Sequence, residues 1–255
     1  MRKAAEEVSL ERRQAETAET GVKALMPFDR PFLDYVLTAA ADAGYRDICL
    51  VIGPEHDAIR RYYGEQVEAE RLRFHFAVQQ EPLGTADAVL ATEQFAGGDA
   101  VVILNSDNLY PVEALRGLRD QPSSAVALFD RNGMLEGSNV PADRLVKFAV
   151  GQLDRNGCLA RIIEKPDQAT IDAMPKPVLV SMNCWRMRPV IYEACRRIEP
   201  SPRGELELPD AVTYAMEHLD EPFQVVTSRE PVLDLSSRED ITTVGELLKG
   251  RRVAL

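Results

Sequence analysis

Two stretches decide the reading of this chain: Gln79-Gln80-Glu81-Pro82-Leu83-Gly84-Thr85-Ala86 and Val101-Val102-Ile103-Leu104-Asn105-Ser106-Asp107. The first follows a strand-like run, Phe74 to Val78, and turns through small residues into a helix. The second is an apolar strand that ends abruptly in polar residues and one carboxylate. In open parallel sheets, ligands bind outside the carboxyl ends of the strands. Two neighbouring strands then deliver an amide, a tight backbone turn and a carboxylate to one crevice. That set suits a nucleotide base, phosphates and a divalent metal.

The pattern continues on both sides. Upstream, Pro31 to Ala43 reads as a helix closed by Gly44, and Asp47 to Ile52 as a strand buried on both faces. Glu55 to Tyr63 reads as a helix, Arg73 to Gln79 as a strand and Thr85 to Phe95 as a helix. Downstream of Asp107, a helix near Val112 to Leu118 and a strand at Ser124 to Phe129 complete the alternation. Such alternation predicts a parallel sheet built by right-handed crossovers. After residue 130 the pattern changes. Strands Leu145 to Leu153 and Leu159 to Ile163 flank Asp154-Arg155-Asn156-Gly157, a hairpin signal. A strand at Val178 to Met187, helices at Pro189 to Arg197 and Leu206 to Leu219, short strands at Phe223 to Thr227 and Val232-Leu233, and a last helix at Arg238 to Leu248 follow. The expectation is an α/β fold with a mixed, mostly parallel Rossmann-like sheet flanked by helices. A more antiparallel half builds the second wall of a cleft. Residues 1–21 read as a charged helix or arm, and residues 22–255 as one domain.

The totals agree. A chain of 255 residues that is 45% hydrophobic can bury a full core. With 30 basic and 41 acidic residues the net charge is -11, which argues against a nucleic-acid partner. A small anionic substrate is still allowed, because a few cations can be focused in one cleft. Cys49, Cys158, Cys184 and Cys195 form no CxxC spacing and no ligand pattern with the histidines; they read as reduced thiols of a cytoplasmic protein. No apolar stretch approaches a membrane span.

Several residues invite chemistry, each with a plainer reading beside it. Lys23 precedes an apolar turn and Pro27, and its ammonium suits phosphates; on that segment alone an exposed surface lysine is the stronger reading. Gln79 offers a donor and an acceptor to one edge of a base, and Gly84 admits close backbone approach. Thr85 serves equally as the cap of the following helix. Asp107 ends a strand with no fixed cation near it in sequence; it caps a turn or ligates Mg²⁺, which takes one or two carboxylates plus phosphate oxygens. Asp234, which ends Val232-Leu233 and precedes Ser236-Ser237, is the candidate second carboxylate; taken singly it serves equally as a helix cap. Glu164-Lys165-Pro166 closes a strand, with a carboxylate for sugar hydroxyls and a cation for a phosphate, or forms an ordinary strand-end turn. Asn183 is a polar residue among Met182, Cys184 and Trp185, either a backbone clamp or a sugar contact.

In this order, the segments resemble the sugar-nucleotide pyrophosphorylases (sugar-1-phosphate nucleotidyltransferases), from about Val22 to Leu248. Lys23-Ala24-Leu25-Met26-Pro27 and the helix after it look like the family's Pro-Lys-x-Leu-Leu-Pro block. Gln79 to Ala86 looks like its base-recognition loop, Asn105-Ser106-Asp107 its first metal carboxylate, and Glu164-Lys165-Pro166 its sugar-phosphate motif. Asn183 and Leu233-Asp234-Leu235-Ser236-Ser237 look like its Asn-x-Gly segment and its second metal carboxylate. The resemblance implies a reaction between an NTP and a sugar 1-phosphate that gives a nucleotide sugar and pyrophosphate. It implies Mg²⁺ on Asp107 and Asp234, phosphates on Lys23 and Lys165, the base on Gln79, Gly84 and Thr85, and the sugar on Glu164 and Asn183. A homo-oligomer is compatible with it. The rival expectations are a non-catalytic nucleotide-sugar-binding protein on the same fold and a glycosyltransferase, although Asn105-Ser106-Asp107 lacks the first acid of Asp-x-Asp.

There are departures from the family pattern. Ala149 stands for a common glycine, Ser236-Ser237 for Gly-Thr, and Trp185 for a glycine, where its ring is expected to narrow the sugar pocket. The family's opening apolar strand and Gly-x-Gly-Thr-Arg loop have no counterpart here. That strand would lie mid-sheet, where each unpaired backbone group costs roughly 1–3 kcal/mol. The expected account is a natural start upstream, with codons that spell an apolar strand and a Gly-rich turn. The alternatives are that another segment, such as the N-terminal arm, fills the slot, or that catalysis has been lost.

Overall fold

The apolar runs become strands close to where the sequence places them. The computed structural model describes Gln14 and residues 23–255; the charged arm expected at 1–21 otherwise lies outside the described residues. In chain order the strands are β1 (Asp47–Ile52), β2 (Arg73–Val78), β3 (Val101–Ile103), β4 (Asn108–Leu109), β5 (Ala125–Asp130), β6 (Val150–Leu153), β7 (Leu159–Ile163), β8 (Leu179–Met187), β9 (Gln224–Ser228) and β10 (Leu233–Asp234). The main sheet runs β7-β6-β8-β5-β9, with β3 also paired to β8. It is mixed. β5 and β9 are parallel, whereas β8 runs antiparallel to β3, β5 and β6. Antiparallel pairing therefore reaches the middle of the molecule, because a strand late in sequence inserts between β3 and β5.

Burial follows from that position. Ala125 to Phe129 of β5, paired on both sides, are each 0% exposed. Trp185 on β8 is equally buried and meets the Phe223 ring edge-on at 5.8 Å. It is a core residue and does not narrow a sugar pocket, because the alternation of the strand turns it inward.

Other departures from the sequence reading are local. Leu145 to Phe148 are not strand: Pro141 sets up a short helix, Ala142–Leu145, and β6 starts only at Val150. The helices Arg131–Gly137 and Gln168–Ala173 were not expected; Asp130 and Asp167 cap them by accepting from Asn132 and Gly133, and from Thr170. The Asn-Gly hairpin forms as expected. The Asp154 carboxylate accepts from the amides of Asn156 and Cys158, and Gly157 takes φ +81°. The thiols of all four cysteines are free. Among the described residues no helix is long and apolar enough to cross a membrane.

One feature of the sheet concerns the site directly. β1 and β2 form a separate parallel pair, in register from Asp47 opposite Arg73 to Ile52 opposite Val78. Among the described strands β1 pairs only with β2, and β3 only with β8. The sheet is split at the position where the sequence reading places an absent strand.

Candidate active site

β4 and β10 pair antiparallel, with Asp234 opposite Asn108 and Leu233 opposite Leu109. The amide of Leu235 donates to the carbonyl of Asp107 at 2.8 Å. This small ribbon brings together two acids from distant parts of the sequence. Lys23 joins them: its Nζ lies 3.0 Å from Asp107 Oδ2 and donates to it. Lys23 is therefore not a free surface lysine, and Asp107 does have a fixed cation.

Asp234 is almost fully buried. Its Oδ1 accepts from the Ser236 amide at 2.7 Å, and Arg144 Nη2 stands 3.7 Å from it. Burial, joined by the nearby charge of Asp107, pushes its carboxyl above the ordinary 3.8, against the pull of Ser236 and Arg144. Asn139 clamps the Asp234 backbone from both sides, donating to its carbonyl and accepting from its amide. Arg144 is itself paired with Asp240 at 2.8 Å. Sequence reading missed Asn139, Arg144 and Asp240, which act through tertiary contacts roughly a hundred residues apart.

The turn before Asp107 is tied to β8. The hydroxyl of buried Tyr110 accepts from the Asn105 amide at 3.3 Å and donates to the Met182 carbonyl at 2.7 Å. Pairing of β5 with β8 skips from Val126 opposite Trp185 to Leu128 opposite Ser181, so β8 bulges at Met182 to Cys184. The bulge gives Asn183 a φ of +53° and leaves it exposed. It is not a buried amide, as its apolar neighbours implied; it lines a cleft of about 1010 Å³ together with Asp107, Asn105 and Thr85.

The segment from Gln79 to Ala86 is braced across the cleft. Gln79 Nε2 donates to the Gly84 carbonyl at 3.0 Å and to Asp87 Oδ2 at 2.9 Å. Thr85 is the first helical residue rather than the cap, and its hydroxyl accepts from the Leu208 amide at 2.9 Å. Leu206 pairs with Leu83 and Ala86 through the backbone. Gly84, at φ +123° and ψ 178°, packs against Leu206 so closely that an added Cβ would lie 2.4 Å from its carbonyl oxygen. Only glycine occupies that region without strain. Gly84→Ala is therefore expected to cost roughly 1–3 kcal/mol in urea denaturation; an unchanged midpoint would show that the loop does not sit on Leu206.

Glu164 and Lys165 stand at the other end of that brace. Lys165 takes φ +45°, a conformation rare for a side-chain-bearing residue. Glu164 is exposed as a whole residue, but desolvation of its carboxyl and the charge of Glu207 raise its pKa. Glu207 is held below its ordinary value by hydrogen bonds from Ser201 and Arg203. The candidate residues thus form an acidic pair with Lys23, a braced amide loop, and a mixed-charge rim at Glu164 and Lys165. Among the described residues no group of three or more His, Cys, Asp or Glu is assembled for a metal.

The fold defines a class, the nucleotide-diphospho-sugar transferase type of mixed α/β sheet. A solved UDP-glucose pyrophosphorylase in complex with UDP-glucose superimposes with a TM-score of 0.71, over 90% of this chain and 91% of that one, at 18% identity. The nucleotidyl transferase family matches residues 17–247, and the chain belongs to it. It is 32% identical to a glucose-1-phosphate thymidylyltransferase of Streptomyces antibioticus over 194 residues, 75% of this chain and 49% of the relative. For the Streptomyces griseus glucose-1-phosphate thymidylyltransferase the figures are 32% identity over 199 residues, 78% of this chain and 52% of the relative. The chain spans about half the length of these relatives.

Proposed function

We propose that this chain transfers a nucleotidyl group from an NTP to a sugar 1-phosphate. A phosphate oxygen of the sugar 1-phosphate attacks the α-phosphorus in line, the bond from that phosphorus to the bridging oxygen breaks, and pyrophosphate leaves. The observation that carries this reading is the convergence of Asp107 and Asp234 on one ribbon beside Lys23.

The donor set fits a magnesium ion. The two acids are close enough for Asp107 to raise the pKa of Asp234, a like-charge arrangement that a divalent cation relieves. Asp107 and Asp234 would hold the ion, which would supply charge neutralisation on the phosphates. Lys23 exchanges its carboxylate partner for a phosphate oxygen and so offsets charge in the transition state. Lys165 does the same for the sugar phosphate, and Glu164 and Asn183 orient sugar hydroxyls. Gln79 commits its amide hydrogens to Gly84 and Asp87. That leaves its carbonyl oxygen to accept from a base N–H, as the imide of uracil or thymine provides. Gly84 gives the base its close approach, and Thr85 holds the loop in place. The names of the Streptomyces relatives point to the same base and to glucose 1-phosphate.

Pyrophosphate release from four NTPs against several sugar 1-phosphates tests this. TTP or UTP is expected to turn over at least ~100-fold better than CTP, which offers no matching N–H. Nucleotide-sugar binding without pyrophosphate release from any pair would favour the non-catalytic rival.

A further inference from the structure

The side-chain amide of Gln79 has one orientation, and a carboxylate that the sequence reading passed over sets it. Gln79 follows β2, and its Nε2 lies 3.0 Å from the Gly84 carbonyl and 2.9 Å from Asp87 Oδ2. Both neighbours can only accept. The group between them is therefore the NH₂. Turning the amide over would set its oxygen against two other oxygens. The bond to Asp87 is the stronger of the two, because its acceptor is a carboxylate. Among the described residues no donor reaches the opposite atom, Gln79 Oε1.

Asp87 is itself held by contacts that need no nucleotide. It is the third residue of the helix Thr85–Leu90, in the first turn, where the helix dipole favours an acid. That turn is tied down on the same side. The Ala86 amide donates to the Leu206 carbonyl at 2.9 Å, and Ala86 is fully buried. The Gly84 carbonyl also accepts from the Ala88 amide at 3.1 Å, so it cannot swing away from Gln79. Uracil and cytosine share a ring size but differ in sense at N3, which is an N–H in uracil and a bare nitrogen in cytosine. A fixed Oε1 matches the first and opposes the second.

We infer that Asp87 is a positioning residue for base selection: it locks the Gln79 amide with its oxygen toward the nucleotide and so excludes bases that present an acceptor there. The inference rests on the reading of Gln79 as the base contact.

Asp87→Asn keeps the size of the side chain and adds a donor. A reversed Gln79 amide then finds a partner for its oxygen and offers an N–H to cytosine. Asp87→Glu keeps an acceptor-only group. Dissociation constants of UTP and CTP, measured by calorimetry with Mg²⁺ present, read the outcome without turnover. The parent is expected to prefer UTP. Asp87→Asn is expected to lower that preference at least ~10-fold, the worth of one hydrogen bond to a charged group, and Asp87→Glu to retain it. A merely structural role in the helix would weaken both nucleotides by one factor and leave the ratio where it was. An unchanged ratio in Asp87→Asn, with a selective parent, would overturn the role of Asp87 and leave Gln79 as the base contact. An equal fall in both variants would assign the effect to local packing and overturn it as well. A parent that binds UTP and CTP alike, or neither, would remove the base contact at Gln79 and this inference with it.

Discussion

Asp107→Asn and Asp234→Asn should each lower nucleotidyl transfer by at least ~100-fold while leaving the fold as stable as the parent or more so. Ordinary structural carboxylates behave differently, losing stability when neutralised. Asp107 is about a quarter exposed, and its pair with Lys23 is of the partly solvated kind that contributes about 0–1 kcal/mol. Asp234 goes further. Its Oδ1 accepts from Ser236, and an asparagine oxygen accepts equally well. Burial and the charge of Asp107 disfavour its ionised form. Between 3.8 and its raised folded value, the folded chain binds more protons at this site than the unfolded chain, so parental stability falls as pH rises through that window. The neutral asparagine removes the dependence, and its melting temperature at pH 7 is expected at or above the parent's. Pyrophosphate release and thermal unfolding on the same preparations read both sides. Full activity in either variant would remove the paired-acid site, and a clear fall in melting temperature for Asp234→Asn would make that acid structural.

The parts of this site that sequence exposes are those where a local pattern ends abruptly. Val101 to Leu104 stop at Asn105-Ser106-Asp107, and a carboxylate at the end of a buried strand has few places to point other than a crevice. Asn156-Gly157 fixes its hairpin because the turn demands positive φ. Other parts depend on contacts that no spacing records. The partner of Lys23 is 84 residues away, so the plainer surface reading was the stronger one until the ribbon closed. Asn183 looked buried because its neighbours are apolar; the bulge at Met182 to Cys184, set by pairing with β5, turns it out. The same pairing turns Trp185 in. Leu145, Val146 and Phe148 look strand-like by composition, but Pro141 starts a helix, and local geometry outweighs hydrophobicity over so short a run.

Arg144→Gln is expected to destabilise the chain by roughly 3–5 kcal/mol at pH 7, the cost of leaving buried carboxylates without their cation. Arg144 reaches Asp240 at 2.8 Å and Asp234 at 3.7 Å, and both acids have side chains no more than 5% exposed. Asp240 accepts from the amide and hydroxyl of Ser237 and from Asn139 Nδ2. Those neutral donors hold it in place but do not cancel its charge. Glutamine keeps part of the stem and a donor, so the change isolates the charge. The pH dependence separates this account from simple loss of packing. Arg144 is one of the influences that hold the Asp234 pKa down against burial. Without it the folded pKa of Asp234 rises further, and the acid takes up a proton more readily in the folded chain than in the unfolded one. The deficit against the parent should then be largest at neutral pH and shrink as pH falls through that raised value, where protonation removes the uncompensated charge. Arg144→Lys should recover part of the loss at pH 7, limited by the missing fork that spans Asp234 and Asp240. Urea denaturation of the three proteins across that range decides the matter: a deficit of constant size at every pH would assign Arg144 to packing alone, and no deficit would show that Asp240 and Asp234 find their compensation elsewhere.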